Sequence, residues 1–164
     1  MTSVNGLRLA YRGFVTGLAA GYAWLAVAMV YAALAVGDPL QPLRPLASLI
    51  LPAAGGSASA SFVIGFGLVQ LACATAGMCF AYFFGRFFTT RPTMAAAAPC
   101  FALLAWALAA TAIGARSGDD ALGLALAPLL ATLAYGLMLG AGVPLRSEVL
   151  RRPDPARSAA GQLG

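Results

Sequence analysis

From Gly13 to Val36 the chain reads GFVTGLAAGYAWLAVAMVYAALAV, 24 residues without a charge. A helix rises about 1.5 Å per residue, so about 20 apolar residues cross the ~30 Å hydrocarbon core of a bilayer. This stretch is long enough. Inside lipid every backbone N–H and C=O needs a partner, and a single segment can supply them all only as a helix. Three more apolar stretches follow. The expected fold is therefore all-α, an integral membrane bundle of four transmembrane helices, with spans at about 13–36, 59–85, 92–114 and 121–145.

Composition enters as a check on solvent. Soluble domains are about 25% charged, whereas this chain is 9% charged and 61% hydrophobic. A water-soluble fold of this length has nowhere to bury so much apolar surface. The spans and short links occupy most of the 164 residues, so residues 1–164 read as one membrane domain, with 146–164 as a polar cytoplasmic tail. The first apolar run exceeds the ~7–15 residues of a secretory core, and is expected to be a retained span. All ten basic residues are Arg. With so much Ala and Gly, this is what a GC-rich coding sequence produces, and it points to a bacterial inner membrane.

Helices in lipid associate by close backbone approach, not by a hydrophobic drive. Gly13, Gly17 and Gly21 repeat every fourth residue in span 1. Gly77, Ala81 and Gly85 do so in span 2, and Thr132, Gly136 and Gly140 in span 4. These are the candidate helix-packing positions, for contacts within the chain or with another subunit. Gln70 stands near the middle of span 2 and is the most polar side chain deep in any span. Its amide needs a hydrogen-bond partner away from lipid, and it is the candidate polar contact in the membrane. Trp24 and Trp106 also lie deep, although transmembrane Trp prefers the interface.

The longest internal connection, 37–58, carries DPLQPLRPL, with Pro-Leu recurring every third residue. Polyproline II has three residues per turn, which would put Leu40, Leu43 and Leu46 along one edge. Pro45 then suits the start of a short helical turn with Leu46, Leu49 and Ile50 on one side. This amphipathic, Pro-rich outer loop reads as an interfacial cap or lid, or a partner contact. The end of span 2 is dense in aromatics, Phe80, Tyr82, Phe83, Phe84, Phe87 and Phe88, as in an interfacial belt. The link from Arg86 to Arg91 is short enough to make spans 2 and 3 an antiparallel hairpin.

Arginines set the expected topology. Arg8, Arg12, Arg86, Arg91, Arg146, Arg151, Arg152 and Arg157 fall on one side and only Arg44 and Arg116 on the other. Eight against two places both termini in the cytoplasm. The net charge of +5 then reads as topology and anionic-lipid contact, with no nucleic-acid partner.

The chemistry that is missing narrows function. There is no His, which removes the commonest metal ligand and general base. Cys73 and Cys79 stand about 240° apart on a helix, and they form no CxxC pair with each other or with Cys100. Asp119 and Asp120 suit the dipole at the start of span 4. No Asp, Glu, Lys, Arg or His lies in the centre of a span, where ion-coupled carriers place an ionisable group. No catalytic residue, metal site or cofactor site is expected. The function expected is a non-enzymatic structural or accessory subunit of a larger membrane complex, with the lipid bilayer and other membrane subunits, or further copies of itself, as partners. The alternative is a small transporter or pore for a neutral or lipophilic solute, using Gln70, Thr75 and Tyr135. A lipid-acting enzyme would need Asp38, Arg44, Asp119 and Asp120 together.

Overall fold

The computed structural model describes residues 3–50, 57–85, 87–88, 90–117 and 126–143. Five helices appear in order: α1 Ser3–Ala35, α2 Arg44–Ala47, α3 Ala58–Phe83, α4 Arg91–Ser117 and α5 Leu126–Gly142. Among the described residues there is no strand. The residues expected to form a polar N-terminal tail are helical from Ser3 onward. No Pro interrupts them.

Local signals account for the ends. Gly37 has φ +76°, and its N–H bonds to the Ala33 carbonyl at 3.2 Å, so α1 stops on a left-handed glycine. Ser57 caps α3, its hydroxyl accepting from the Ala60 N–H at 3.2 Å. Pro45 lies in the first turn of α2, where its missing N–H is no loss. Pro99 lies inside α4 and has no N–H to give the Ala95 carbonyl.

α1, α3 and α4 are long and apolar enough to cross a membrane, and α5 has a shorter apolar run, Pro128–Gly142. These three long helices point to a multi-pass membrane protein. The fourth expected span, 121–145, is thus represented by the shorter α5, Leu126–Gly142.

α1 has α3 on one side and α5 on the other, and α4 lies beyond α5. Each contact runs in opposite senses. Gly13 faces Gly77 and Ala81, while Gly21 faces Gln70. Thr16 faces Gly142, and Trp24 reaches Thr132. Gly140 faces Ala95, and Gly136 faces Pro99. The spatial order is therefore α3–α1–α5–α4. α3 and α4, expected to pair as a hairpin, hardly touch. Their short link joins the two ends of the series, which face each other through Phe80, Phe84 and Phe101 and across a groove.

The main core gathers Ala20, Phe80, Met94, Ala98, Tyr135 and Leu139. A smaller core, Leu25, Leu43 and Val69, lies under the connection after α1, and Trp24 and Cys73 border both.

Candidate functional site

The contact between α1 and α3 is made by backbone. A Cβ on Gly17 would stand 2.5 Å from the Cys73 carbonyl oxygen and 3.1 Å from the Gly77 Cα. One on Gly77 would stand 2.5 Å from the Gly13 oxygen and 2.7 Å from the Gly17 Cα. Gly85 continues the seam, with Leu9 Cδ2 3.2 Å from its would-be Cβ. Ala81 is fully buried against Gly13. The stripes of α1 and α3 thus meet each other within one chain. Gly136 and Gly140 serve a second seam, where a Cβ would meet the Pro99 Cα at 2.5 Å or the Ala95 Cα at 3.0 Å.

Polar groups gather where α1, α3 and α5 meet. The Trp24 indole N–H donates to Thr132 Oγ1 at 3.2 Å. The Tyr135 hydroxyl donates to the Cys73 carbonyl at 2.7 Å. These bonds explain the deep Trp24 and give Thr132 a role beyond small size. Gln70 is 7% exposed, and neither of its amide atoms has a hydrogen-bond partner among the described residues. Its Oε1 lies 2.7 Å from where a Gly21 Cβ would be. The Gly21 hydrogen in that place offers at most a weak C–H···O contact, about 0.5–1 kcal/mol. A buried polar group left unsatisfied costs about 1–3 kcal/mol.

Thr75 is not part of this group. It is exposed, and its hydroxyl donates to the Leu71 carbonyl of its own helix at 2.7 Å. The track expected through Gln70, Thr75 and Tyr135 is therefore split, because Thr75 stands on the opposite flank of α3, facing α4.

That flank borders an open groove of about 570 Å³ between α3 and α4. Leu71, Thr75, Ala76, Phe101, Leu104 and Ala105 are among its walls. The wall is almost wholly apolar, and Thr75 has already spent its hydroxyl proton. At the end nearest the link, a wedge of rings holds the helices apart. Phe80 lies 5.3 Å from Phe101 and 5.7 Å from Phe84, and Phe84 lies 5.6 Å from Phe101. The belt read from sequence is thus divided. Phe80 is fully buried in the wedge, whereas Tyr82, Phe83 and Phe87 are exposed.

The Pro-rich connection lies over the smaller core. Gln41 N–H bonds to the Asp38 carbonyl at 3.2 Å and Leu43 N–H to the Leu40 carbonyl at 3.0 Å. These i→i+3 bonds are right-handed 3₁₀ turns, not polyproline II. Both have three residues per turn, so Leu40, Leu43 and Leu46 still share an edge. Leu43 is fully buried, and a Cβ on Gly65 of α3 would stand 2.7 Å from its carbonyl oxygen. Ala47 is buried, whereas Leu49 and Ile50 are exposed, contrary to the expected face. Asp38 fastens the strap's start by accepting from the Leu40 N–H at 3.0 Å and pairing with Arg44 at 2.7 Å. Seating Leu43 is worth about 1.5–3 kcal/mol, close to what the orphaned Gln70 amide costs.

Arg91, read from sequence only as a topology charge, donates to the Ala141 and Val143 carbonyls at 3.0 and 3.1 Å. It closes the C-terminal end of α5. Asp119 and Asp120 and the tail 146–164 lie outside the described residues. Among the described residues, no three His, Cys, Asp or Glu side chains come together. No protein-family model, curated protein or solved structure matches this chain.

Proposed function

We propose that this chain is a non-enzymatic structural or accessory subunit of a larger membrane complex. In this reading it is a four-helix transmembrane bundle with both termini in the cytoplasm and the 38–50 strap outside. The observation that carries it is the row α3–α1–α5–α4, open between its ends. The α1–α3 and α4–α5 seams are closed at backbone distance, and the groove between α3 and α4 offers almost no polar surface. Its occupant is a transmembrane helix of another subunit. Ala72, Thr75, Ala76 and Ala105 give that helix room for close approach between leucine ridges.

Gly17 now reads as an internal contact, so its replacement tests folding instead of assembly. The assembly test is Ala72→Trp, which fills the groove from an exposed position on its wall. Gentle extraction of the wild type should give a complex with other membrane chains, and the variant should run alone with unchanged helix content. A wild-type protein that extracts as a monomer, or a variant that keeps its partners, removes this reading.

The orphaned Gln70 favours a second reading, a pathway for a small uncharged solute along the α1–α3–α5 junction. Flux in proteoliposomes that persists unchanged in Gln70→Leu would take Gln70 out of that role.

A further inference from the structure

We infer that the 38–50 strap is a lid whose opening gives a small uncharged hydrogen-bonding solute access to Gln70. The solute class follows from the side chain. A carboxamide offers two N–H donors and a carbonyl acceptor without charge, and residues 13–36, 58–83 and 126–142 of the helices around it hold no charged residue. An amide, a urea or a polyol could pair with it, and an ion would find no counter-charge.

Three observations place the lid. Leu43 sits fully buried on Gly65 and packs with Leu25 and Val69, the residue before Gln70. Trp24 and Cys73 border both this small core and the main one. Leu43 therefore closes the same interior into which Trp24 and Tyr135 send their polar groups. Third, both Gln70 amide atoms are sealed from solvent without a partner, so the closed arrangement leaves their hydrogen-bonding capacity unused. Lifting the strap frees the amide to bond. The strap moves as a unit, because the Asp38–Arg44 pair and its own turns stitch it within itself and Leu40, Leu43 and Leu46 seat it along one edge on the small core.

The inference rests on the second functional reading for its solute, but the lid can be tested separately. In a background with Cys73, Cys79 and Cys100 changed to Ala, Gln70→Cys is exposed to a membrane-impermeant charged thiol reagent, added from the strap side or the opposite side. Leu49→Cys, at an exposed strap position, reports that the reagent arrives. The expected result is slow modification of position 70 from the strap side only. Leu43→Ala should speed it about tenfold or more, because it removes most of the seated side chain. Asp38→Asn, a milder change that loosens the turn without emptying the core, should speed it by a smaller factor. Modification that ignores both changes, that comes equally from the other side, or that fails while position 49 reacts overturns the lid.

Flux separates the two ideas. The probe is urea in proteoliposomes of the full chain, wild type against Leu43→Ala. Urea flux that rises in Leu43→Ala supports both lid and pathway. Flux that Leu43→Ala leaves unchanged overturns the lid and leaves the pathway. Strap-dependent modification of position 70 without urea flux supports the lid and removes urea transport.

Discussion

The two flanks of α3 are built from similar residues and do opposite things. Toward α1 it presents Gln70, Cys73, Ala74, Gly77 and Ala81, and there a Cβ on the facing glycines would land within about 3 Å of backbone or side-chain atoms. Toward α4 it presents Leu68, Leu71, Ala72, Thr75, Ala76 and Cys79, small residues between two leucines, and there the helices part around a groove. The difference lies in what comes across. α1 brings glycines in register, so two backbones can meet. α4 brings Phe101, Leu104 and Leu108, and the rings of Phe80, Phe84 and Phe101 prop the helices apart. In lipid, where apolar contact alone does not drive helices together, small residues on one helix are not enough. Both faces must be small at the same height.

The comparison can be broken most severely at its tight side. Gly17→Leu puts a branched side chain where even a Cβ would stand 2.5 Å from the Cys73 oxygen. The expected loss is about 3 kcal/mol or more, seen as a large drop in unfolding midpoint in detergent. A midpoint unchanged by this variant would mean that α1 and α3 do not meet as described. Leu43→Ala should come next, at about 2–5 kcal/mol for a side chain deleted from a filled site. Its effect should be confined to the strap. Protease cleavage within 38–50 should rise while circular dichroism keeps its helical signal.

Tyr135→Phe removes the hydroxyl that bonds the Cys73 carbonyl. An interhelical hydrogen bond in a membrane averages about 0.6 kcal/mol and reaches about 1.7, so a small drop in midpoint is expected. Gln70→Leu should have the opposite sign. It removes two unpaired buried groups, and the variant should be as stable as the wild type or more stable. A clear loss in the same unfolding assay would show that the amide has a partner in the folded protein. The smallest effect belongs to the groove. Ala72→Leu, at an exposed position on the groove between α3 and α4, should change monomer stability by no more than about 0.5 kcal/mol. An effect on partner retention in native mass measurements would then sharpen the contrast between a seam that folds the chain and a groove that receives another.

Much of the architecture was legible because lipid imposes one-dimensional rules. The run from Gly13 to Val36 could only be a helix, and Pro45 marked the start of a short one. The strap shows where such reading fails. Its Pro-Leu period of three was visible, but two helices of opposite hand share that period, and only the bonds from Leu43 N–H to Leu40 and from Gln41 N–H to Asp38 choose between them. The aromatic run at the end of α3 shows a second limit. Ring content identifies an interface, but whether Phe80 faces lipid or Phe101 depends on where α4 lies.

The sequence by itself determined the long apolar helices and the lack of Asp, Glu, Lys, Arg or His in the centre of each. Each follows from local composition and from the cost of an unpaired backbone or charge in hydrocarbon. The tertiary structure alone decided who neighbours whom. Stripes of glycine and alanine on α1, α3 and α5 are interchangeable as patterns, so any two could have met. The row α3–α1–α5–α4 comes from height and shape: Gly17 opposite Cys73 and Gly77, Gly136 opposite Pro99, Trp24 within reach of Thr132. The same geometry gave Tyr135 a partner and left Gln70 without one. A single side chain's position in sequence carries no information about the atoms that another helix brings to it.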